Sequence, residues 1–360
     1  VSTVAAKSTN ALVVRFDEGV DATSGSVAGN YSLSDGVSVT SASANGSNTV
    51  LLDTSDLVPS SEYTLTVTNV KDLYGNAIDN ASYTFTVEIV TYGEIIQSDG
   101  PIAYYRFNEE SGQVATNYGS LGTDADGLWM SGNGPDDSVE VDLVNEDGPN
   151  PTNGFLGFGL DNRAASFNGD LDALWVDAQG QWLDNLDSFT LEYWVKPINR
   201  EGGGWSRIGI VGQNDAVEYG FINGDTIQIW TPGGGALNTP YEFQDDEWHH
   251  IATIADGNQI HNYFDGELVG SAGTETSNYG SANYNVHIGG GGVYDGSGNH
   301  FEGALDEVAI FDKAIPADRV KEHYTAGIEG GTKAPSEGGG GDGGGDGGGG
   351  GGDDDDDQYD

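Results

Sequence analysis

The stretch "SFTLEYWVKP", residues 188–197, places Phe, Leu, Tyr and Val at alternate positions. This period of two predicts a β-strand with one face on a core. The same alternation recurs in "YTLTV" at 63–67, "YTFTV" at 83–87 and "TIQIW" at 226–230. Helical spacing is clear only in "PADRVKEHY", where Val320 and Tyr324 lie four residues apart. The chain is therefore predicted to be mostly β.

Four further stretches accompany this strand in a fixed order along the chain. They are "AYYRFNEESG" at 103–112, "AASFNGDLDALWV" at 164–176, "DEWHHIATIADGNQIHNYFDGELVGS" at 246–271 and "HFEGALDEVAIFDKAIPADRVKEHY" at 300–324. Together, the five stretches resemble the laminin-G-like, concanavalin A-like jelly-roll domain of bacterial extracellular proteins, over about residues 95–328. The sequence departs from that family in the acidic, Gly/Pro-rich stretch 131–161, which is longer than such a domain usually needs. A loop of this length is uncommon unless it is functional or disordered.

Residues 1–90 contain short alternating stretches separated by Gly, Asn, Asp and Ser, as in a small β-sandwich. In "NVKDLYGNAID" at 69–79, Gly75 and Asn76 supply the positive-φ positions of a tight turn. The pattern resembles the Ig-like domains of bacterial S-layer proteins, which implies a spacer. The predicted fold is thus all-β, with an Ig-like sandwich at 1–90, a jelly roll at 95–328 and a Gly/Asp-rich low-complexity tail at 330–360.

The composition restricts the possible partners of the chain. The 360 residues include 12 Lys plus Arg against 58 Asp plus Glu, which gives a formal net charge of -46. Such a surface repels nucleic acid and acidic lipid. Cysteine is absent, which excludes disulfides and thiolate metal sites. No stretch approaches the roughly 20 apolar residues of a membrane span. We interpret Val1 as a mature or fragment start after export, and the protein as a secreted or cell-surface bacterial protein.

Acidic residues within the apolar run 305–311 suggest a metal site. Strict alternation places Leu305 and Glu307 on one face and Asp306, Val308 and Ile310 on the other, so one acid shares a face with apolar residues. A buried lone carboxylate is costly unless a cation or several donors accompany it. Calcium prefers oxygen ligands of this kind. The expected ligands of one structural calcium ion are Asp170, Asp306, Asn168, Glu109 and Glu307. In the alternative, Asp306 accepts backbone N–H groups and Glu307 is solvated.

Aromatic residues beside Gly-rich loops suggest carbohydrate binding, because sugar faces stack on such rings and sugar hydroxyls pair with polar side chains. The expected ligand-binding residues are Trp175, Trp205, Trp230, Tyr241 and Tyr294. Trp175 is included because Leu174 and Val176 alternate with it and are expected to face inward.

Catalysis is not expected. The glycosidases of this fold place two or three carboxylates on one strand, and the nearest match is "EVDLVNE" with Glu140, Asp142 and Glu146, which Pro, Gly and Asn flank. Two non-catalytic functions remain open: an extracellular adhesion or carbohydrate-binding protein stabilised by calcium, and a structural subunit that self-associates into a surface layer or filament. Glycoside hydrolysis by Glu140, Asp142 and Glu146 is the fallback hypothesis.

Calcium removal tests the metal site. If Asp306 is a ligand, Asp306→Ala should lower the melting temperature in calcium by about 5 °C and leave it nearly unchanged in chelator, because ligand binding stabilises only the folded state. Differential scanning calorimetry measures both. Equal losses in the two conditions would remove Asp306 from the metal site.

Overall fold

The computed structural model describes most of the chain. The described residues are 1–8, 10–55, 57–58, 61–87, 89–134, 136–169, 174–200, 207–273, 275–291, 293–294 and 298–332. Of the predicted tail, residues 333–360 lie outside this part.

The first unit is a small sandwich of two antiparallel sheets. Its strands are β1 (Thr3–Ser8), β2 (Ala11–Arg15), β3 (Tyr31–Leu33), β4 (Val39–Ala44), β5 (Thr49–Thr54), β6 (Glu62–Val67) and β7 (Ala81–Thr86), with a short helix α1 (Ala22–Gly25). The sheet orders are β1-β2-β5-β4 and β3-β6-β7. Alternate residues such as Leu12, Val14, Leu65 and Val67 are fully buried between the sheets, which is the packing that period-two sequences produce.

A short strand and a helix connect the two units. β8 (Ile89–Val90) precedes helix α2 (Tyr92–Ser98). Thr91 and Glu94 form a reciprocal capping box at the start of α2, with the Thr91 N–H donating to Glu94 Oε2 at 2.8 Å.

The second unit is a larger sandwich that completes the all-β fold. Its elements are β9 (Ala103–Tyr105), β10 (Val114–Ala115), β11 (Gly127–Gly134), β12 (Asp137–Glu140), β13 (Asn145–Asp147), β14 (Arg163–Asn168), β15 (Leu174–Asp177), β16 (Phe189–Asn199), β17 (Ile208–Gln213), β18 (Val217–Asn223), β19 (Thr226–Thr231), β20 (Gly235–Pro240), β21 (His249–Ala255), β22 (Ile260–Phe264), β23 (Glu267–Ala272), β24 (His287–Ile288), β25 (Glu302–Phe311), α3 (Ala317–Glu329) and β26 (Gly331–Thr332). Helix α3 confirms the helical prediction for this stretch, and β26 pairs with β8.

Two sheets face each other in this unit. The β15 sheet has the order β10-β11-β15-β24-β17-β18-β19-β20, with β12 paired to β11. The β25 sheet has the order β13-β14-β25-β16-β21-β22-β23, with β9 paired to β25. The main core lies between them.

The β25 sheet is buried on both faces. In β16, Phe189, Leu191 and Tyr193 face the main core, as the alternation predicts. Glu192 and Trp194 face the opposite side and are also fully buried. The helices α2 and α3 and the segment 155–158 cover this outer face and form a second apolar cluster there.

A buried polar network joins both helices to the outer face. His323 Nδ1 lies 3.0 Å from each carboxylate oxygen of Glu192, and His323 Nε2 lies 2.6 Å from Asp99 Oδ2. Arg319 Nε donates to the same Asp99 oxygen at 2.6 Å, and the Tyr92 hydroxyl donates to Glu192 Oε1 at 3.2 Å. Because Glu192 and His323 are fully buried, each charge depends on the other for its compensation.

The network makes the stability of this unit depend on pH. Burial opposes the charge on His323, but Glu192 and Asp99 outweigh it and raise the pKa of His323 to about 9. The resulting stabilisation is complete below the unfolded pKa of 6.5 and is lost as the pH rises through about 9. Burial also opposes ionisation of Glu192, yet His323 holds its pKa below 4.5, so the contribution of Glu192 is present above pH 4.5 and lost in stronger acid.

His323→Gln should remove the alkaline part of this dependence. Between pH 6.5 and about 9 we expect the free energy of unfolding of the unaltered second unit to fall by about 3 kcal/mol on account of His323. Urea unfolding at a series of pH values measures the slope. His261→Gln is the matched control, because the His261 side chain forms an exposed hydrogen bond and the slope should persist. An unchanged slope in His323→Gln would contradict the assignment.

Candidate functional site

A β-bulge at Glu307 sets the geometry of the candidate site. The pairs Glu192–Ala309 and Trp194–Asp306 leave one residue of β16 opposite two residues of β25. Glu307 has a φ of 53°, in the left-handed region that a non-glycine residue adopts only under constraint. One extra residue in an antiparallel strand shifts every later side chain by one position.

The bulge overturns the predicted distribution of side chains in β25. Strict alternation predicted that Glu307 shares a face of the strand with Leu305, and that Asp306 shares the other face with Val308 and Ile310. Instead, Leu305, Val308 and Ile310 all belong to the main core. Asp306 and Glu307 both lie on the outer side, where their bonding partners are found. The prediction was wrong because alternation assumes one residue for each step of the partner strand.

Both acids are fully buried and hydrogen-bonded. Asp306 Oδ2 accepts from Asn162 Nδ2 at 2.7 Å, and Asp306 Oδ1 accepts from the Glu307 N–H at 2.7 Å. Glu307 Oε1 accepts from Arg106 Nε at 3.1 Å. Burial raises the pKa of both carboxyl groups well above their usual values. The expected backbone contact of Asp306 is therefore present, whereas the expected solvation of Glu307 is wrong.

A polar cleft of about 700 Å³ adjoins these acids. Its walls are the segment 106–110 after β9, the strand β13 and the segment 159–163 that leads into β14. Eight of its ten lining residues carry polar side chains, so hydrogen bonding dominates its chemistry. Much of the wall comes from the stretch 131–161, whose unusual length the sequence analysis noted.

Hydrogen bonds hold the amide side chains of the wall in place. Asn162 Oδ1 accepts from Asn108 Nδ2 at 3.2 Å, and Asn108 Oδ1 accepts from the Arg163 N–H at 2.6 Å. Asn145 Nδ2 donates to the Glu109 carbonyl at 2.8 Å, and Asn145 Oδ1 accepts from Arg163 at 2.9 Å. The cleft is therefore preorganised without a ligand.

No local sequence pattern singles out these amides. The unusual length of the stretch 131–161 pointed to the segment that contains Asn145, and to no particular side chain. Asn108 and Asn162 are 54 positions apart, and their contact arises only when β9 and β14 both pair with β25.

Of the described members of the predicted calcium site, Asp306 and Glu307 are adjacent and Glu109 is close enough to raise the pKa of Asp306, whereas Asn168 lies apart. Asn168 pairs with Glu302, four residues before Asp306 in β25, which corresponds to ~13 Å along the strand. Glu109 accepts a backbone hydrogen bond at 2.8 Å, and Asp170 lies outside the described residues. No group of three or more His, Asp or Glu residues that could hold a metal occurs within the described ranges. The calcium site stays a prediction.

Two of the predicted aromatic contacts are buried in the sandwich. The side chains of Trp175 and Val176 point to opposite faces of β15, and Val176 faces the main core as expected. However, Gly291 packs against the indole, where a Cβ would lie 2.3 Å from the ring, and His287 contacts it edge-on with ring centroids 4.8 Å apart. Trp175 is consequently fully buried, and Tyr241 is buried in the main core.

The remaining predicted aromatic residues lie near one another, as far as they are described. Trp230 is half-buried and pairs with Glu218 in β18. Arg207 lies 3.7 Å from Glu218 and 5.2 Å above the Tyr294 ring, which is itself buried. Trp205 lies outside the described residues. This aromatic group offers less exposed ring surface than the sequence suggested.

The acids of the fallback enzyme hypothesis do not share a strand. Glu140 ends β12 in the β15 sheet, whereas Glu146 belongs to β13 in the β25 sheet. Lys196 Nζ lies 2.6 Å from Glu146 Oε1, and Asp142 is exposed between the two strands. This arrangement differs from the single-strand carboxylates of glycosidases with this fold.

Family comparisons agree with both resemblances. Residues 175–321 match the model of the concanavalin A-like lectin/glucanases superfamily, and residues 2–87 match the model of the bacterial Ig-like domain. The chain carries both domains. No curated protein matches it.

Solved structures similar to this chain share little sequence identity with it. Domain 4 of the extracellular arabinanase AbnA from Geobacillus stearothermophilus, in complex with arabinotriose, is 19% identical over 62% of this chain and 98% of that chain, with a TM-score of 0.45. The binding domain of botulinum neurotoxin serotype D is 12% identical over 64% and 52%, with a TM-score of 0.43. A Bacteroides ovatus protein is 12% identical over 89% and 76%, with a TM-score of 0.37. Likenesses of this size do not identify a ligand.

The helices of the described residues include none that is both long and apolar enough to span a membrane.

The buried position of Asp306 changes the expected effect of its removal. Asp306→Ala should lower the free energy of unfolding of the concanavalin A-like domain by about 2 kcal/mol, because it leaves the Glu307 N–H without its side-chain partner and removes one of the two acceptors of Asn162 Nδ2. We expect this loss with calcium and with chelator alike. Chemical denaturation measures it, with Asp312→Ala at the exposed end of the strand as control, expected within about 0.5 kcal/mol of the unaltered chain. A loss confined to calcium would restore Asp306 as a metal ligand.

Proposed function

We propose that this chain is an extracellular, non-catalytic adhesion protein whose concanavalin A-like domain binds carbohydrate in the polar cleft. The observation that carries the proposal is the cleft itself, a concavity of about 700 Å³ with amide and carboxylate side chains along its walls. Concave sites of this size with fixed polar groups are typical of small-molecule and sugar binding.

The lining suits a sugar better than an apolar ligand. Asn108, Asn145 and Asn162 present planar amides that can pair with neighbouring hydroxyl groups. Leu160, which is 74% exposed at the cleft, offers an apolar contact for the C–H face of a ring. Because internal hydrogen bonds already fix the amides, little side-chain entropy is lost on binding.

Three further observations support this function. The matched family model includes lectins. The bacterial Ig-like domain has the length of a spacer that would hold the binding domain away from a surface. A net charge of -46 favours uncharged or cationic partners.

The calcium dependence and the filament alternative remain predictions. Calcium would stabilise the domain through ligands that include residues outside the described part, and the chelator experiment above tests it. Sedimentation at high protein concentration tests self-association into a layer or filament.

Glycan binding should depend on the cleft and not on the aromatic group. A glycan array followed by calorimetric titration identifies and measures the ligand. Asn145→Ala should weaken binding about 10-fold, since one hydrogen bond and the position of Arg163 are lost. Asn258→Ala, in an exposed turn, is the control and should bind normally.

The variant Trp230→Ala separates the two candidate locations. Normal binding by this variant supports the cleft. Loss of binding by Trp230→Ala, with normal binding by Asn145→Ala, would move the site to the aromatic group. No binding to any glycan on the array would contradict the function.

A further inference from the structure

The orientation of the cleft amides follows from the chemistry of their partners. Asn162 Nδ2 faces Asp306 Oδ2 at 2.7 Å and the Pro149 carbonyl at 3.0 Å. The Pro149 carbonyl can only accept a hydrogen bond, so it alone fixes which end of the Asn162 amide faces it. The Asn162 NH₂ group therefore points into the protein, and its Oδ1 points towards Asn108.

The orientation of the Asn145 side-chain amide is fixed in the same way. Its Nδ2 donates to the Glu109 carbonyl, and its Oδ1 accepts from the Arg163 guanidinium, which can only donate. Two amides of the wall thus commit their NH₂ groups to protein acceptors, while each amide oxygen accepts one internal hydrogen bond and keeps a second lone pair.

The charges of the cleft have the same bias towards acceptors. Arg106 bonds to Glu307 and Arg163 is paired with Asp147, so both guanidinium groups have internal partners, with side chains that are 30% and 36% exposed. Glu110 and Asp161 also line the cleft and are exposed. No ion pair to either of these two carboxylates occurs among the residues that the structure describes.

From this polarity we infer that the cleft takes a sugar that donates through hydroxyl or ammonium groups, and that it rejects anionic sugars such as uronates and sulfated glycans. Neutral sugars and amino sugars form the ligand class. The inference rests on the proposed function, because it names the class of ligand for the same cleft. The two uncompensated carboxylates attract an ammonium group and repel a carboxylate or sulfate.

Asp306 acts as a positioning residue for this selection. It is buried below the wall and acts through Asn162, whose NH₂ group it holds away from the cleft. In Asp306→Asn, the Glu307 N–H requires the new carbonyl oxygen, so the new NH₂ group faces that of Asn162. Asn162 Nδ2 then keeps only the Pro149 carbonyl as an acceptor, so its NH₂ group should be held less firmly away from the cleft.

An array of neutral, amino and anionic oligosaccharides tests the ligand class. We expect binding to neutral or amino sugars and no significant signal from uronate or sulfated ones. Binding mainly to anionic sugars would overturn the inference while leaving the proposed function intact. Absence of binding to all three classes would instead overturn the proposed function, and the inference with it.

Removing the two carboxylates should relax the selection. The double variant Glu110→Gln/Asp161→Asn should raise the ratio of uronate to neutral binding about fivefold, as expected for loss of a charge repulsion near a surface. The double variant Asp312→Asn/Glu322→Gln makes the same change in net charge at exposed positions outside the cleft, and its ratio should not change. Equal effects in both variants would show a general effect of net charge and contradict the assignment.

Removal of one acceptor tests the role of Asp306. Asp306→Asn should raise the ratio of uronate to neutral binding, because Asn162 Nδ2 loses one of its two internal acceptors and can turn towards the cleft. The melting temperature is measured in parallel. A loss of affinity that is equal for all sugars, or that follows the melting temperature alone, would reduce Asp306 to a structural role.

Discussion

The bulge at Glu307 is the constraint on which the candidate site depends. One extra residue in β25 keeps Leu305 and Val308 in the main core while Asp306 and Glu307 lie next to each other on the outer side. Two adjacent buried carboxyl groups need donors. Arg106 and Asn162 supply those donors, and the segments that carry them form the walls of the cleft.

The outer face of the β25 sheet also carries a buried carboxyl group that needs partners, and here two helices are involved. A sandwich of this kind can leave its outer faces to solvent, but here two helices cover one of them. Side chains alternate along β16, which places Glu192 on that face. Burial of Glu192 under the helices therefore requires a compensating charge. His323 provides it from α3, and Asp99 and Arg319 continue the network to the end of α2. The polar residues of the sheet thus fix where the helices lie.

Cations are scarce in this chain, and the cleft uses two of them internally. Lys and Arg number 12 in total, and Arg106 and Arg163 are each paired with a carboxylate beside the cleft. Both guanidinium groups bond internally but stay partly exposed, so carbonyl and carboxylate oxygens supply most of the accessible polarity and not all of it. This excess of acceptors supports the proposed binding of ligands rich in hydroxyl groups. It also agrees with a surface that repels anions throughout.

The sequence by itself determined the β class, the order of the Ig-like and concanavalin A-like domains, helix α3 and the unusual stretch 131–161, because periodicity and turn residues are local properties. Only the tertiary structure decided the rest. The bulge depends on the register between β16 and β25, the burial of Trp175 depends on the segment around Gly291 that packs over it, and Asn162 meets Asp306 across 144 positions of the chain. Register and long-range contacts are set by the packing of whole sheets, which no local pattern encodes.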